Sequence, residues 1–378
     1  MTDDLPIVVV GGGPAGASAT LALVRCGRRV VLAGGVVGDE FRVGEAIPPA
    51  TRPLLRDLGV LDRFLADGHL PCYGNVSVWG DDKPVTTDFI FDPNGHGWHL
   101  DRVRFDATLQ VAAREAGAEV FPTARLVEAV RESTGWRVTL TPGDGQDQQI
   151  RCGWLIDATG RRSTVARRAG ATRMREDSLV AFYARFRSEA GADCDSRTMI
   201  ESGPEGWWYT ALVPSGERVV AFLTDMDLVD RAAMLSPAGF TGRLETSRYV
   251  RSILSAHRYE ASGSPRGTDA GTAWLDCIAG SDWVAVGDAA VSFDPLSSQG
   301  IMTALFTGLR AGQAIDRVMG GDAAALDEYV RRVDAIRSAY RRNRAAYYAA
   351  ENRWSDRPFW HRRHQAASKG IEHPHPFF

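Results

Sequence analysis

Short apolar runs bounded by turn residues recur along the chain and predict strands that are buried on both faces. Ile7–Val10 is the first of these runs, residues 29–32 form the second, and Trp154–Asp157 and residues 283–286 are of the same kind. Continuous apolar runs of about four residues are typical of parallel strands that helices cover on both sides. The pattern therefore predicts an α/β fold around a parallel sheet.

Amphipathic stretches predict helices after and between these strands. Their approximate bounds are 15–28, 50–58, 105–117 and 301–319. Near the C-terminus, apolar residues fall on one face of a further helix, namely Leu326, Tyr329, Val330, Val333, Ile336 and Tyr340. The other face is rich in arginine, with Arg331, Arg332, Arg337, Arg341, Arg342 and Arg344. This face is either solvated surface or a docking surface for an acidic partner protein.

The middle of the chain has a different pattern, in which β-branched and aromatic residues dominate from residue 179 to residue 259. The clearest strands are 180–186, 206–212 and 218–224, and residues 72–91 also alternate. Such alternation predicts an antiparallel sheet that is inserted into the parallel lobe. A β-meander is predicted from residues 119–121, 126–130 and 136–140.

Composition and charge narrow the class of protein. The chain has 378 residues, 44% of them hydrophobic, and a formal net charge of −3, which is ordinary for a globular enzyme and gives no reason to expect nucleic acid or an anionic membrane as partner. No stretch approaches the roughly 20 apolar residues of a membrane span, and the acidic N-terminus is unlike a signal peptide. Five scattered cysteines without a C-x-x-C pair favour a cytoplasmic location and disfavour a metal site.

A glycine motif follows the first apolar run directly. In Gly11-Gly-Gly13-Pro14-Ala15-Gly16, the first glycine allows a tight turn, Gly13 allows a phosphate to approach the backbone, and Gly16 allows helix and strand to pack closely. The helix that starts here offers free N–H groups to an anion. An ordinary strand-to-helix turn is the alternative, but the position after the first strand indicates a dinucleotide site.

Two further motifs agree with the first one. They are Asp157-Ala-Thr-Gly160 and the stretch from Gly287-Asp288 to Asp294-Pro295. Together the three resemble the glutathione-reductase-type FAD fold of flavin-dependent aromatic hydroxylases and halogenases, over nearly the whole chain. The resemblance implies FAD as cofactor, with Asp288 binding a ribityl or ribose hydroxyl.

The same resemblance implies further contacts to FAD. Pro295, Gly300 and Ile301 correspond to the loop and helix start beside the isoalloxazine, where backbone N–H groups stabilise negative charge on the flavin. Arg102 corresponds to a residue that contacts the FAD phosphates or ribityl, and Arg42 to a basic residue near the pyrophosphate. For both arginines, a surface salt bridge is the alternative.

One departure from dinucleotide-binding folds lies at the end of the second predicted strand. An acidic residue that binds the adenosine ribose usually stands there, whereas this chain has Ala33-Gly-Gly. Asp39 or Glu40 is a possible replacement on the following glycine-rich segment. Without one, FAD should be partly lost on purification, and Ala33→Glu should raise its occupancy.

Within this superfamily the chain is most similar to the flavoproteins that mature tryptophylquinone cofactors, of the lysine ε-oxidase maturase type. The similarity rests on Val43-Gly-Glu45 with its following proline pair, Trp79-Gly, residues 97–102 and residues 206–209. Tryptophan and phenol halogenases are next in similarity. Their catalytic lysine has no equivalent at residues 76–79, and Lys83 lies in a polar turn, so halogenation is disfavoured.

The resemblance implies an FAD-dependent monooxygenase that hydroxylates an aromatic, tryptophan- or phenol-like substrate through a flavin C4a-(hydro)peroxide. NAD(P)H or a separate flavin reductase would supply the electrons, and the substrate is either a small molecule or bound to a peptide or protein. Trp207, Trp208 and Tyr209 are candidates for the wall over the flavin, with packing inside the sheet as the alternative. Glu45 is the candidate base or hydrogen-bond acceptor, with capping or bracing of a loop as the alternative.

Three other functions stay open at this point: a flavin-dependent halogenase, a flavin reductase of lipid-like double bonds, and an FAD-binding partner protein in maturation. The predicted fold is a Rossmann-like FAD-binding domain with an inserted antiparallel substrate domain and a C-terminal helical tail. Its bounds are 1–70, 98–175 and 265–322 for the FAD-binding domain, 71–97 and 176–264 for the substrate domain, and 323–378 for the tail.

Overall fold

The computed structural model describes residues 5–34, 41–143, 145–189 and 193–368. Strands in these ranges belong to five sheets. In chain order they are β1 (Ile7–Val10), β2 (Val30–Ala33), β3 (Ala46–Ile47), β4 (Leu70–Cys72), β5 (Gly74–Val78), β6 (Val85–Asp88), β7 (Gly97–His99), β8 (Glu119–Phe121), β9 (Arg125–Arg131), β10 (Trp136–Thr141), β11 (Gln148–Cys152), β12 (Trp154–Asp157), β13 (Arg173–Arg175), β14 (Leu179–Arg187), β15 (Thr198–Gly203), β16 (Gly206–Leu212), β17 (Arg218–Asp225), β18 (Glu260–Ala261), β19 (Arg266–Asp269), β20 (Ala273–Leu275), β21 (Trp283–Ala285) and β22 (Val291–Ser292).

Helices cover the parallel sheet and form the C-terminal part of the chain. They are α1 (Pro14–Arg25), α2 (Thr51–Asp57), α3 (Leu61–Ala66), α4 (Arg102–Glu115), α5 (Thr164–Arg168), α6 (Arg231–Met234), α7 (Pro237–Leu244), α8 (Tyr249–Ala256), α9 (Gly300–Met319), α10 (Ala325–Ala350) and α11 (Pro358–Ser368). The predicted helices are all present within a few residues of their expected bounds. None of the helices in the described ranges is both long enough and apolar enough to cross a membrane.

A five-stranded parallel sheet of order β21-β12-β1-β2-β8 forms the centre of the first lobe. Strands β1, β2, β12 and β21 are buried on both faces, as their continuous apolar runs predicted, whereas the edge strand β8 is partly exposed. The meander prediction was wrong for residues 119–121, because β8 pairs with β2 in this sheet, whereas β9, β10 and β11 form a separate antiparallel sheet. The strand order reverses at β1, since β2 and β8 lie on one side of it and β12 and β21 on the other, so the carboxyl ends of these parallel strands border one crevice.

Helices α1 and α9 pack against each other closely and run in the same direction. A Cβ at Gly308 would lie 2.2 Å from the carbonyl oxygen of Ala15, and one at Gly312 would lie 2.9 Å from that of Ala19. The Ser18 hydroxyl donates to the Leu305 carbonyl at 2.7 Å. Glycine at these two positions lets the helices approach, and the parallel arrangement brings both N-termini to the same crevice.

The inserted sheet has eight strands, with β14, β15, β16 and β17 at its centre. It is antiparallel apart from the pair β5–β15. Side chains alternate between its faces. Trp208 and Phe222 lie opposite each other and pack with Phe240 into a core beneath helices α7 and α8. Trp207 and Tyr209 point to the other face, toward the parallel lobe.

Helix α10 returns from the parallel lobe to the inserted sheet. Tyr329, Val333 and Tyr340 are buried on its apolar face. Its arginine-rich face is less free than the sequence indicated, because several of these side chains form ion pairs within the protein. The pairs are Arg332–Glu328, Arg337–Asp334, Arg341–Glu176 and Arg344–Asp177.

Candidate functional site

A cavity of about 460 Å³ separates the crevice of the parallel sheet from the inserted sheet. One side, here called the cofactor wall, consists of Gly13, Pro14, Ala15, Arg102, Ala158, Gly160, Arg161, Val286, Asp288, Pro295, Ser297, Ser298, Gln299, Gly300, Ile301 and Ala304. The opposite side, the substrate wall, consists of Glu45, Ala46, Ala181, Trp207, Tyr209, Ala221, Leu223, Thr268 and Ala270. Val43, Gly44, Asp269, Phe293 and Asp294 line the cavity at its margins between the two walls. The cavity thus brings together most of the predicted site residues, except Gly11, Gly16 and Arg42.

The three motif glycines have different roles in the turn after β1. Gly11 has φ +114°, and a Cβ there would lie 2.1 Å from the carbonyl oxygen of Ala158. A Cβ on Gly16 would lie 1.8 Å from the carbonyl oxygen of Gly11. Gly13 has φ −76°, and a Cβ there would meet no atom of the described residues within 4 Å. Gly11 and Gly16 therefore serve packing, whereas the backbone at Gly13 faces open cavity.

A second backbone surface lies at the start of α9. Gly300 and Ile301 line the cavity, and a Cβ on Gly300 would meet no described atom within 4 Å. Among the described residues, no side chain caps the N-terminus of α9, nor that of α1. Both helices thus present free N–H groups and the positive end of a helix dipole to the cavity.

Asp288 lies at the end of β21 and presents its carboxylate to the cavity. Arg161 lies between two carboxylates: its Nε is 3.6 Å from Asp288 Oδ2, and its Nη1 is 3.9 Å from Asp269 Oδ1. Arg173 holds the turn by donating to the Asp288 carbonyl at 3.1 Å. Sequence reasoning missed Arg161, although it directly follows the Asp157–Gly160 motif.

The two predicted arginines are placed differently. Arg102 Nη1 donates to the Gly44 carbonyl at 2.8 Å, and its buried Nε has no hydrogen-bond partner in the described ranges. Arg42 does not line the cavity; it is 40% exposed and forms an ion pair with Asp106 at 3.5 Å. Arg102 pairs with the same buried Asp106 at 3.4 Å, so what distinguishes the two arginines is that Arg102 lines the cavity and has an unused donor beside it.

Glu45 and Tyr209 form a buried pair on the substrate wall. The Tyr209 hydroxyl donates to Glu45 Oε1 at 2.6 Å, and the Gly44 N–H donates to Oε2 at 2.9 Å. Gly44 has φ +93°, a turn that glycine adopts without strain and that turns the carboxylate inward. Glu45 thus braces its own loop and also reaches the cavity.

Burial is the main influence on the pKa values of Glu45 and Tyr209. It raises the pKa of the Glu45 carboxyl, while the hydrogen bonds from Tyr209 and Gly44 act in the opposite direction. Burial and the adjacent Glu45 also raise the pKa of the Tyr209 hydroxyl well above its ordinary value. Tyr209 is therefore a hydrogen-bond donor at neutral pH, and Glu45 is a carboxyl whose proton affinity has been increased.

Apart from Glu45, Tyr209 and Thr268, the substrate wall is apolar. Ala181, Leu223 and Trp207 lie in one row across three paired strands, and Ala221 lies opposite Tyr209 in the next row. The expectation that Trp208 belongs to this wall was wrong, because adjacent residues in a strand point to opposite faces. Small side chains beside large aromatic ones leave room for a planar ring over the wall.

Ala33, where an acidic residue was missing, is fully buried at the end of β2, and its carbonyl accepts the Gly11 N–H at 2.7 Å. Asp39 and Glu40 lie outside the described residues. A glutamate at residue 33 would have to bury its charge in this core, which offsets the gain expected from Ala33→Glu.

The groups that the cofactor wall presents to the cavity are chemically suited to FAD. Two uncapped helix N-termini and the open backbone at Gly13 suit a pyrophosphate and an electron-rich ring. The Asp288 carboxylate suits a hydroxyl donor, and the free Nε of Arg102 suits an anion. The described residues contain no group of three or more His, Cys, Asp or Glu side chains that is suited to a metal ion.

Comparison with known proteins agrees with this geometry. The family described as "FAD binding domain" matches residues 4–225. The putative FAD-dependent oxidoreductase LodB of Marinomonas mediterranea is 30% identical over 370 residues, which cover 97% of this chain and 98% of LodB.

Two solved structures extend the likeness. The peptidyl tryptophan dihydroxylase QhpG, essential for tryptophylquinone cofactor biogenesis, has a TM-score of 0.78 and 25% identity, over 95% of this chain and 78% of QhpG. The flavin-dependent halogenase CmlS has a TM-score of 0.84 and 23% identity, over 95% of this chain and 67% of CmlS.

These matches confirm the fold class and the resemblance that the motifs carried, including the similarity to the tryptophylquinone maturation flavoproteins. The residue bounds of the two domains and the individual roles of the site residues stay predictions. The chain belongs to the FAD-binding-domain family and is an FAD-dependent oxidoreductase with FAD as its cofactor.

Proposed function

We propose that this oxidoreductase is a monooxygenase that hydroxylates a tryptophan- or phenol-like side chain carried by a peptide or protein. The observation that carries the proposal is the substrate wall. There, the Glu45 carboxyl and the Tyr209 hydroxyl to which it is bonded lie beside Trp207, across the cavity from the FAD-binding backbone. An aromatic ring held between the walls has both an apolar surface and a proton acceptor.

When bound, reduced FAD supplies the activation of O₂. The apolar part of the substrate wall excludes water, and Trp207 holds the substrate ring by an aromatic contact. Oxygen insertion at a ring carbon releases a proton as the ring becomes aromatic again. Glu45 Oε1 has a lone pair left beside its bond to Tyr209 and is the atom that we assign to accept this proton.

Two facts support a substrate that is bound to a peptide or protein. On this side of the cavity the charged groups of the described residues are the carboxyls of Glu45 and Asp269, neither of which pairs with the carboxylate of a free amino acid, whereas the cations Arg102 and Arg161 lie on the cofactor wall. QhpG, which is similar over most of the chain, is a peptidyl tryptophan dihydroxylase by name.

A cytoplasmic location fits the five cysteines, none of which forms a disulfide.

Halogenation is the alternative that the likeness to CmlS raises, and the lysine content argues against it. The chain has two lysines, Lys83 and Lys369. Lys83 is exposed in the turn between β5 and β6 and does not line the cavity, and Lys369 lies outside the described residues. Among the described residues, therefore, no lysine lines the cavity to carry an oxidised halide.

The test uses purified FAD-loaded protein, a chemical or enzymatic source of reduced flavin, isotopically labelled O₂ and chloride. A tryptophan-containing peptide, N-acetyltryptophan amide and free tryptophan serve as substrates, and Glu45→Gln is the matched control. We expect labelled oxygen in the peptide product and little in that of free tryptophan. Halogenated product, or turnover of a long-chain alkene without O₂ uptake, would replace the proposal with a halogenase or a reductase. Stable flavin binding without turnover of any substrate would favour a partner protein.

A further inference from the structure

The cofactor wall contains a strained turn just before α9. Ser298, which lines the cavity just before α9, has φ +50°, a left-handed conformation that is uncommon for a residue other than glycine. Such a conformation persists where surrounding contacts hold it firmly. Contacts that hold this turn come from both the buried side chain and the backbone carbonyl of Asp294.

Asp294 supports the turn from inside. Its Oδ1 accepts the Leu296 N–H at 2.9 Å, and its carbonyl accepts the Ser297 hydroxyl at 2.9 Å. The side chain is fully buried, so its second oxygen, Oδ2, needs partners of its own. These partners come from helix α10, which lies outside residues 4–225, the part of the chain that matches the family.

Helix α10 supplies two donors to Asp294 Oδ2. The Tyr348 hydroxyl donates at 2.7 Å and Arg344 Nε lies at 3.4 Å. The same Tyr348 oxygen accepts the indole N–H of Trp207 at 3.2 Å. One hydroxyl group therefore joins the turn of the cofactor wall to the aromatic residue of the substrate wall.

We propose that Tyr348 is a positioning residue for the active site: it fixes the 294–298 turn and the Trp207 indole relative to each other, and so sets the spacing of the two walls. It does not line the cavity and acts through Asp294 and Trp207. The expected effect of Tyr348 on FAD binding requires only that the chain belongs to the FAD-binding family. The effect on the substrate rests on the proposed function.

The experiment compares Tyr348→Phe with Tyr329→Phe. Tyr329 lies on the same helix, is equally buried, and donates its hydroxyl to the Ala285 carbonyl at 2.7 Å, away from the turn. We expect Tyr348→Phe to raise the Kd for FAD about tenfold, or about 1.4 kcal/mol, and Tyr329→Phe by less than about threefold. Visible circular dichroism of the bound flavin should change in the first variant alone.

A double-mutant cycle with Asp294→Asn tests the route of the effect. If Tyr348 acts through Asp294, the double variant binds FAD no more weakly than Asp294→Asn does. Asp294→Asn also probes the same contact should Tyr348→Phe fail to fold. FAD affinity and dichroism of Tyr348→Phe like those of the wild type, an equal loss in Tyr329→Phe, or additive effects in the cycle would overturn the proposal. None of these readouts depends on which substrate is turned over.

Discussion

The two walls of the cavity are built from different parts of the polypeptide. The cofactor wall presents mainly backbone, with glycine at positions 13, 160 and 300 and with the N–H groups of two helix ends. The substrate wall presents side chains, with Trp207 and Tyr209 among alanines on one face of the inserted sheet and Glu45 reaching in from the loop before β3. A ligand of the first wall is recognised by chain conformation, and a ligand of the second by residue identity.

Because of this difference, the two walls tolerate different amino-acid substitutions. Backbone recognition depends on a few glycines and fails when a side chain is added, whatever its chemistry. Side-chain recognition can change with one substitution at an inward-pointing position of the sheet while the strand pairing stays the same. Proteins that share this cofactor wall can therefore differ in their reactions, and the substrate wall is where such differences are expected.

The largest expected effect concerns two glycines of one motif. Gly11→Ala should lower the free energy of unfolding of the apo-protein by about 3 kcal/mol or more, because it adds a clash and a strained φ. Gly13→Ala should change it by less than about 1 kcal/mol, since the φ of Gly13 suits alanine. Denaturant titration of both variants measures this.

FAD titration of Gly13→Ala completes the comparison. Its Kd should rise more than about tenfold because the new methyl group projects into the cavity. Normal FAD affinity in Gly13→Ala would mean that the backbone at this position is not approached by the cofactor, and the description of the first wall would then be wrong.

Glu45→Gln tests the substrate wall. Product formation should fall about a hundredfold if the carboxylate accepts a proton. In the wild type the rate should rise with pH through the raised pKa of Glu45, and the variant should lack this rise. Rate profiles against pH with saturating FAD measure both effects, and full turnover in Glu45→Gln would leave Glu45 with only its loop-bracing role.

Stability gives an independent check on the same residue. A carboxyl whose pKa is raised by folding binds its proton more tightly in the native state, so the wild type loses stability as pH rises above about 4.3, up to the raised pKa. Glu45→Gln should remove this part of the pH dependence. Identical slopes in the two proteins would show that the pKa of Glu45 is unshifted.

Asp288→Ala should weaken FAD binding about tenfold or more, because a hydrogen bond to a charged acceptor contributes about 1.5–3 kcal/mol. The loss should exceed that in Glu45→Gln, which changes the opposite wall. Isothermal titration of the apo-proteins with FAD measures both affinities. A weaker effect at Asp288 than at Glu45 would mean that the two walls do not divide their ligands as described.

The smallest effect is expected at Lys83. Its exposed turn lies outside the cavity, so Lys83→Ala should leave FAD affinity and product formation unchanged. Product analysis in chloride or bromide, with and without the substitution, is the measurement. A halogenated product that disappears in Lys83→Ala would contradict both the assignment of the walls and the choice of hydroxylation.

The sequence predicted the cofactor wall better than the substrate wall, and the reason is physical. A turn with φ +114° and a Cβ position 2.1 Å from another carbonyl oxygen admits only glycine, so Gly11 leaves a readable motif. Trp207 and Trp208 have the same side chain, and only the register against β17 decides which of them faces the cavity. Strand register depends on distant residues that no local pattern contains.

Contacts between residues far apart in the sequence could not be predicted from local patterns either. Tyr348 reaches Trp207 across 141 positions, and a tyrosine on an amphipathic helix is typical of ordinary core packing. The short strand β8 was assigned to the wrong sheet, because three residues carry too little pattern to show their neighbours. By contrast, helix α9 and the Gly287-Asp288 turn appeared where the motifs placed them.

The parallel contact between α1 and α9 has a consequence for biosynthesis. The hydrogen bond from Ser18 to Leu305 joins residues that are 287 positions apart, and the cavity needs both helices. At about 5–20 residues per second, a ribosome makes α9 roughly 15 to 55 seconds after α1. The cavity is therefore completed only after α9 has been made, and a nascent chain that stops short of α9 lacks part of the cofactor wall.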